Sequence, residues 1–327
     1  LIDAGVFQDS RYNAKQSFDI NKRKVSKIPW KELTHIIISH AHLDHMGSLP
    51  LACVPELQFE GKIICTEASQ SLIALNAKDC AFVMDNQAKV WNKANPRKPI
   101  LPLYTMEHAD ALITRLQGYG YYEQIQLTPN VSVELIPTGH LLGDCSIIIT
   151  YMIDEWTTRR VFYSGDTNAW TDTPRPFTRQ FDTSKVYDCD IVICESTYGV
   201  RLHEPMDVVG RLENIIQKRC IEQHHVLFIP AFAIGRSAQV CYYLKQVFNK
   251  HPEWDKINLP IYLAGKMLLS SFNTYGNPYN QRHFMDEEWS DTGIFNWGRI
   301  QKIDNFPEVE EKLIDNKPKI IIASSGM

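Results

Sequence analysis

Six consecutive positions constrain this chain more than any other feature. His40-Ala41-His42-Leu43-Asp44-His45 sets four potential metal ligands in one short string. Imidazole nitrogens and a carboxylate are the donors that zinc and similar divalent ions take. The apolar run His35-Ile36-Ile37-Ile38-Ser39 immediately before them reads as a buried strand, so the ligands sit where a strand gives way to its loop. In an extended chain side chains alternate, and His40 and His42 would point to one side and could share a metal. Asp44 and His45, just past the turn, could hold a second. The plain alternative is a loop on which polar residues happen to cluster.

The string resembles the signature of the metallo-β-lactamase superfamily. That resemblance implies further ligands at later strand ends, and the sequence offers them. Val131-Ser132-Val133-Glu134-Leu135-Ile136 alternates like a strand and runs into Pro137-Thr138-Gly139-His140. Arg160-Val161-Phe162-Tyr163 leads into Ser164-Gly165-Asp166-Thr167, and Leu1-Ile2-Asp3-Ala4-Gly5 is similar to the family's first motif. The resemblance implies that His40, His42 and His140 hold one metal. Asp44 and His45 would hold the other, and Asp166 would bridge. Asp3 would stand behind the ligands and steady their loops. Two Zn2+ per active site and hydrolysis by a metal-bridged hydroxide follow from the same resemblance.

Later segments narrow the branch. Ile191-Val192-Ile193-Cys194-Glu195-Ser196-Thr197-Tyr198-Gly199 resembles the first motif of the β-CASP nucleases, and His203 lies at an offset where that branch often has a His. Pro230-Ala231-Phe232-Ala233-Ile234-Gly235-Arg236 and the closing Ile321-Ile322-Ala323-Ser324-Ser325-Gly326-Met327 continue the likeness. It is nearest to the endonuclease subunit of pre-mRNA 3′-end cleavage and its bacterial and archaeal ribonuclease relatives. The implied activity is cleavage of single-stranded RNA, with Asp44 and Glu195 in the chemistry. Glu195 would charge and orient a general-acid His. In the family that His, and the last ligand of the second metal, lie beyond the position of Met327, so both ends of the domain are expected to be incomplete here.

The implied fold is α/β: an αββα metallo-β-lactamase sandwich over 1–199, with an inserted α/β β-CASP domain over 200–327. The local patterns agree with two styles of architecture. Strands are expected near 35–39, 62–65, 131–136, 146–151, 160–164 and 190–194, with helices at 67–78 and 108–117. After Gly199 helices at 206–219, 236–249 and 266–275 alternate with strands at 225–229, 260–263 and 319–323, which suits a parallel sheet with crossover helices. The stretch 276–307 is the least regular.

Composition sets outer bounds. The chain has 327 residues, 44% hydrophobic and 22% charged, enough for two domains with cores of their own. No apolar run reaches the length of a membrane span. Eight scattered cysteines without a CxxC pair read as reduced thiols, and a cytoplasmic location, nuclear in a eukaryote, is expected. A net charge of −4 argues against a surface that coats nucleic acid generally, while leaving room for a local basic groove.

Several residues carry two readings. Glu195 could instead cap the turn that follows it. Arg236, after Gly235 at a strand-to-helix turn, could receive a phosphate or pair with an internal carboxylate. Ser324 and Ser325 could line a substrate channel or form a tight turn. The basic runs 21–27 and 93–98 could touch a nucleic-acid backbone, although charge runs are more often solvated loops. Single-stranded RNA is the expected partner, met alone, as a homodimer or in a multiprotein RNA-processing complex, with no membrane. A DNA nuclease of the same branch is the first rival. A small-molecule metallo-hydrolase would share the metal string but not the Glu195 segment or the second domain.

Overall fold

The computed structural model describes every residue except Ser10, 169–174, 202–205, Asn258, Asp291, Asn316 and 325–327. The chain forms two compact units. The first comprises Leu1–Asp172 and Gln180–Glu195, the second Thr173–Arg179 and Ser196–Met327.

The first unit is layered. A parallel three-stranded sheet contains β1 (His35–Ile37), β2 (Lys62–Thr66) and β3 (Leu116–Tyr119), in that order. A second sheet runs β4 (Gln124–Thr128), β5 (Val131–Ile136), β6 (Ser146–Met152), β7 (Thr158–Tyr163) and β8 (Ile191–Ile193). It is antiparallel until β8, which joins β7 in parallel. Apolar side chains of both sheets meet in one core: Ile37 and Ile64 from the first, Val133, Leu135 and Ile147 from the second. The alternation in 131–136 drives this, because one face of β5 buries Val133 and Leu135 here while Ile136 packs with Ile148 and Phe162 on the opposite face. On that outer face Phe181 and Val186 complete the cover, Val186 from the short helix α5 (Ser184–Tyr187).

Helices cover the three-stranded sheet. α1 (Ala14–Val25) opens on a capping box in which Asn13 and Gln16 satisfy each other's backbone N–H. α2 (Leu43–Met46) is a single turn. α3 (Glu67–Ala94) is 28 residues long, begins at the Thr66 cap and packs on β2, β3 and α4 (Met106–Arg115). The αββα arrangement expected for this unit is therefore present. Helix 67–78 proves to be only the first half of α3, and the basic stretch 21–25 is helical rather than a loop.

The second unit contains a four-stranded parallel sheet, ordered β11 (Ile300–Ile303), β10 (Ile261–Ala264), β12 (Lys319–Ala323), β9 (Val226–Pro230). α6 (Val208–Ile216) precedes the sheet, and its crossovers include α7 (Arg236–Lys250), α8 (Lys266–Tyr275), α9 (Pro278–Phe284), α10 (Glu287–Ser290) and α11 (Phe306–Ile314). The stretch 276–307 is more ordered than expected, since α9, α10 and β11 fall in it. Phe177 belongs to this unit because its fully buried ring packs edge-on against Tyr242, Tyr275 and Trp289.

Candidate metal centre

The site is built where β1, β5 and β7 end. β1 delivers His40, whose side chain is 1% exposed. His42 then begins α2, and the N–H groups of His45 and Met46 donate to its carbonyl. That single turn carries Asp44 and His45. The loop after β5 brings His140, and the loop after β7 brings Asp166.

Four of these groups converge. One donor atom from each of His40, His42, His140 and Asp166 lies within 4.8 Å of all the others. His42 Nδ1 is 3.1 Å from His40 Nε2 and 3.2 Å from His140 Nε2. Asp166 Oδ2 is 3.6 Å from His140 Nε2 and 3.8 Å from His40 Nε2. Donors bound tetrahedrally at ~2.0–2.1 Å stand about 3.3 Å from one another, so these edges suit a zinc-sized ion. The chemistry agrees. One imidazole lone pair on His42 cannot accept two good hydrogen bonds at once, whereas a cation between three such nitrogens uses every lone pair. The donor set fits the implied metal.

Asp166 also faces the other way. Its Oδ1 lies 3.2 Å from His45 Nε2, and His45 Nε2 is 3.8 Å from Asp44 Oδ2. The carboxylate thus stands between the three-histidine group and the Asp44–His45 pair. Asp44 is the most open member, with a side chain 68% exposed.

Charge is distributed unevenly over the imidazoles. Burial first, then the neighbouring rings, push His40 well below its ordinary range and keep it neutral, as a ligand must be. Burial also pulls on His45, but bonds to Asp166 and Asp3 outweigh it and raise that ring to about 10. Burial opposes ionisation of Asp166, yet His45 and the other imidazoles hold its carboxyl below the usual range.

The loops are pinned by buried polar groups. Asp3, in a left-handed backbone conformation at φ 55°, accepts from Ser39 N–H at 2.8 Å, Ser39 Oγ–H at 2.8 Å and Tyr163 O–H at 2.9 Å, and pairs with His45 Nδ1 at 2.7 Å. Asp144 is buried beneath the His140 loop. It accepts from the N–H groups of His140 at 2.5 Å, Leu141 at 2.7 Å and Thr138 at 3.3 Å, and from the Thr138 hydroxyl. Burial raises its carboxyl to about 6 against the pull of those donors. α3 serves both loops: Asn76 donates to the Ala41 carbonyl, and Thr66 and Ser69 donate to the Gly143 carbonyl. Gly165, at φ 56°, lets the chain turn into Asp166 where a Cβ would press on Ser39.

Glu195 touches this machinery through the backbone. Its Oε1 accepts the Thr167 N–H at 2.7 Å, and its own N–H donates to Ser164 Oγ at 3.0 Å. It therefore braces the Asp166 loop. Arg236 is exposed at the first position of α7, and Ser324 follows β12; both belong to the second unit. His203 and Ser325 lie outside the described residues. Sequence patterns alone do not single out Ser39, Asn76, Asp144 or Tyr163 as parts of the site. Only Asp144 has a local signal, an acid four positions after a His in a glycine-bearing loop.

Comparison with known proteins places this geometry. Residues 1–53 match the family described as the metallo-beta-lactamase superfamily. Over its whole length the chain is 27% identical to an RNase J-like protein of Methanocaldococcus jannaschii, covering 66% of that relative. It is 27% identical to endoribonuclease ysh1 of Schizosaccharomyces pombe over 89% of this chain and 35% of the relative. It is 26% identical to cleavage and polyadenylation specificity factor 73 of Drosophila melanogaster over 93% of this chain and 40% of the relative. The chain thus spans just under two thirds of the first relative and well under half of the other two. The matched ligand string, its strand-end setting and these relatives make the chain similar to proteins of the metallo-beta-lactamase superfamily.

Proposed function

We propose that this protein hydrolyses phosphodiester bonds in single-stranded RNA with the help of zinc. The observation that carries the reading is the convergence of His40, His42, His140 and Asp166, drawn from three separate loops, within 4.8 Å. The names of the relatives support RNA over DNA or a small molecule as substrate.

His40, His42 and His140 would hold one ion with Asp166 Oδ2, and Asp166 Oδ1, His45 and Asp44 face the place of a second. Bound divalent metal supplies positive charge against phosphoryl oxygens and eases the deprotonation of water. The chain's own residues do the rest. Asp3 fixes the His45 ring through Nδ1, which leaves Nε2 directed at Asp166. Asp144 fixes the His140 backbone, and Glu195 holds Thr167 so that Asp166 stays between the two groups. Because Asp44 is open to solvent, it is the member of the cluster that an incoming phosphate would meet first. Arg236 and Ser324 are candidate substrate contacts from the second unit, and the enzyme would meet RNA alone, as a homodimer or within a multiprotein complex.

The test uses the full-length protein. A labelled single-stranded RNA should be cut in the presence of zinc and spared after chelation, and a single-stranded DNA of the same sequence should be cut far more slowly. Efficient cleavage of the DNA, or of a lactone with none of RNA, would overturn the reading.

A further inference from the structure

A groove in the first unit, away from the ligand cluster but joined to it through the chain, has the features of a nucleic-acid site. It encloses about 310 Å3 and lies between α1, the C-terminal half of α3 and residues 100–103. That volume is at the low end for pockets that take small molecules, about 300–1,000 Å3, and is enough for a planar ring system. Phe7, Tyr12, Phe18, Met84 and Leu101 supply apolar and aromatic walls. Tyr12 is 40% exposed and Leu101 74% exposed, so the slot is open at its lip. Gln8 and Gln87 bring exposed amides to it. Asn21 fixes the floor by bonding both the N–H and the carbonyl of Phe7, at 2.7 and 3.0 Å.

The charge around this slot differs from that of the chain. Residues 11–31 carry seven Lys and Arg against the single acid Asp19, in a protein whose net charge is −4. Asp19 is paired with Lys15, and Asp9, which lines the groove, is paired with Arg11. Residues 89–98, which lie in sequence between the lining residues Ala88 and Ile100, hold Lys93, Arg97 and Lys98 beside Lys89, which is paired with Asp85. The cations sit against the rings themselves: Lys24 Nζ is 5.1 Å from the Phe7 centroid, and Lys22 and Lys15 Nζ are 5.8 and 5.9 Å from that of Phe18.

From this we infer that the α1–α3 groove binds unpaired nucleic acid, stacking a base on its aromatic wall while Lys22 and Lys24, which flank the lining face of α1, meet the adjoining phosphates. Aromatic faces combined with flanking cations are the sequence-tolerant way to hold a single strand. An acidic peptide would use the cations and leave the ring-lined slot idle; an apolar one would leave the cations idle. The groove also has a direct tie to the metal centre. Val6 lines it, and the Val6 N–H donates to the carbonyl of Leu43, the residue before Asp44. A strand bound there would be held on the same unit as the ligand cluster that is read to cut RNA. In that sense the inference rests on the proposed function, and binding is measured without cleavage so that the two can fail separately.

The experiment titrates full-length protein, in chelator, into a fluorescein-labelled oligouridylate. The variant K22E/K24E changes exposed helical positions only, and circular dichroism checks that it folds. It should weaken binding more than tenfold and flatten the dependence of log affinity on log salt by about 1.4 units, near 0.7 for each phosphate that is no longer neutralised. Tyr12→Ala, at the open lip, should weaken binding by about 5- to 150-fold with the salt slope unchanged. An abasic oligonucleotide of equal length should bind more weakly than oligouridylate. Unchanged affinity in both variants, equal affinity for the abasic strand, or equal competition by polyglutamate would overturn the inference. Cross-links from 4-thiouridine should map to residues 7–18 or 83–101, and cross-links found solely elsewhere would also refute it. RNA cleavage that persists without binding at this groove would remove the groove and leave the catalytic reading standing. Binding here by a protein that never cleaves RNA would do the reverse.

Discussion

Both units carry loops at the ends of their strands, yet they hold those loops in different ways. In the second unit the turns after β9 and β10 rest chiefly on backbone, with Gly235 at φ 82° and Gly265 at φ 119° and a single bond from the buried Ser237 hydroxyl after β9, and residues such as Phe232 and Arg236 stand exposed beside them. In the first unit the loops after β1 and β5 are stapled by side chains that are themselves buried, Ser39, Thr66, Ser69, Asn76 and Asp144, and half-buried Glu195 braces the loop after β7. Backbone turns suffice to reverse a chain. Four donor atoms that must meet within a few ångströms need each carbonyl and N–H of their loops bound to a fixed partner, because buried polar groups tolerate few alternative arrangements.

The sharpest way to break this contrast is to remove the ligands. His140→Ala, Asp166→Ala and Asp44→Ala should each abolish RNA cleavage by the full-length protein, and the first two should lower bound metal as measured by mass spectrometry of the intact protein. Folding should be largely retained, since the staples remain. Undiminished cleavage in Asp166→Ala would sink the metal assignment.

The staples come next. Asp144→Ala strands three buried N–H groups and a hydroxyl, and should cost about 3 kcal/mol or more in denaturant unfolding, with metal affinity about 10- to 100-fold lower. The counterpart in the second unit is Ser237, whose Oγ–H donates to the Ala233 carbonyl at 3.0 Å. Ser237→Ala should cost only about 1 kcal/mol and leave metal binding alone. Equal effects of the two would mean that the loops do not differ as described.

Glu195 separates bracing from charge. Glu195→Gln keeps an oxygen for the Thr167 N–H, so bound metal should not change, while cleavage should slow by about 10²–10⁴-fold if its charge holds a proton donor. Glu195→Ala removes the brace and should lower metal affinity as well, by about tenfold. A Gln variant that loses metal would show that the carboxylate's charge, rather than its acceptor, supports Asp166.

The smallest effect is expected in the second unit. His251 bonds Glu253 and Glu213 on its two ring nitrogens, each at 2.8 Å, and those bonds raise its pKa. A raised folded-state pKa contributes stability below the unfolded value, near 6.5, and that stability disappears as pH climbs through the folded one. The difference in melting temperature between the wild type and His251→Gln should therefore be larger at pH 6 than at pH 8.5. A difference that is constant or grows with pH would contradict this.

Much of the fold and of the site is legible in the residues, and the exceptions share a cause. Strand 131–136 and helix 266–275 coincide with β5 and α8 because alternation and helical spacing are uninterrupted there. The helix expected over 67–78 stops short of the end of α3 because Phe82, Val83 and Val90 are exposed apolar residues that blur its stripe. α1 buries only Asn21, so it has no apolar face to read. The first residues of β3 fall in the helix expected over 108–117. Gly118 sits there because a Cβ would collide with Gln70 of α3, a constraint that exists only once the sheet is assembled. The gathered histidines and Asp166 stand out by spacing at strand ends. Asn76 and Tyr163 do not, since the groups they serve are 35 and 160 positions away.

That separation bears on how the metal centre is acquired. Asp3 bonds partners 36, 42 and 160 positions distant in the chain. Each such bond closes a long loop, and contacts between remote segments are the slow part of a folding reaction. In a small zinc finger the ion and the fold arrive together. Here the N-terminal segment must lie against β1, and Tyr163 must reach it across the second sheet, before His45 is held. Tight metal uptake during refolding should therefore lag behind the appearance of helix, and its rate would time the closure of the sandwich rather than the birth of any single loop.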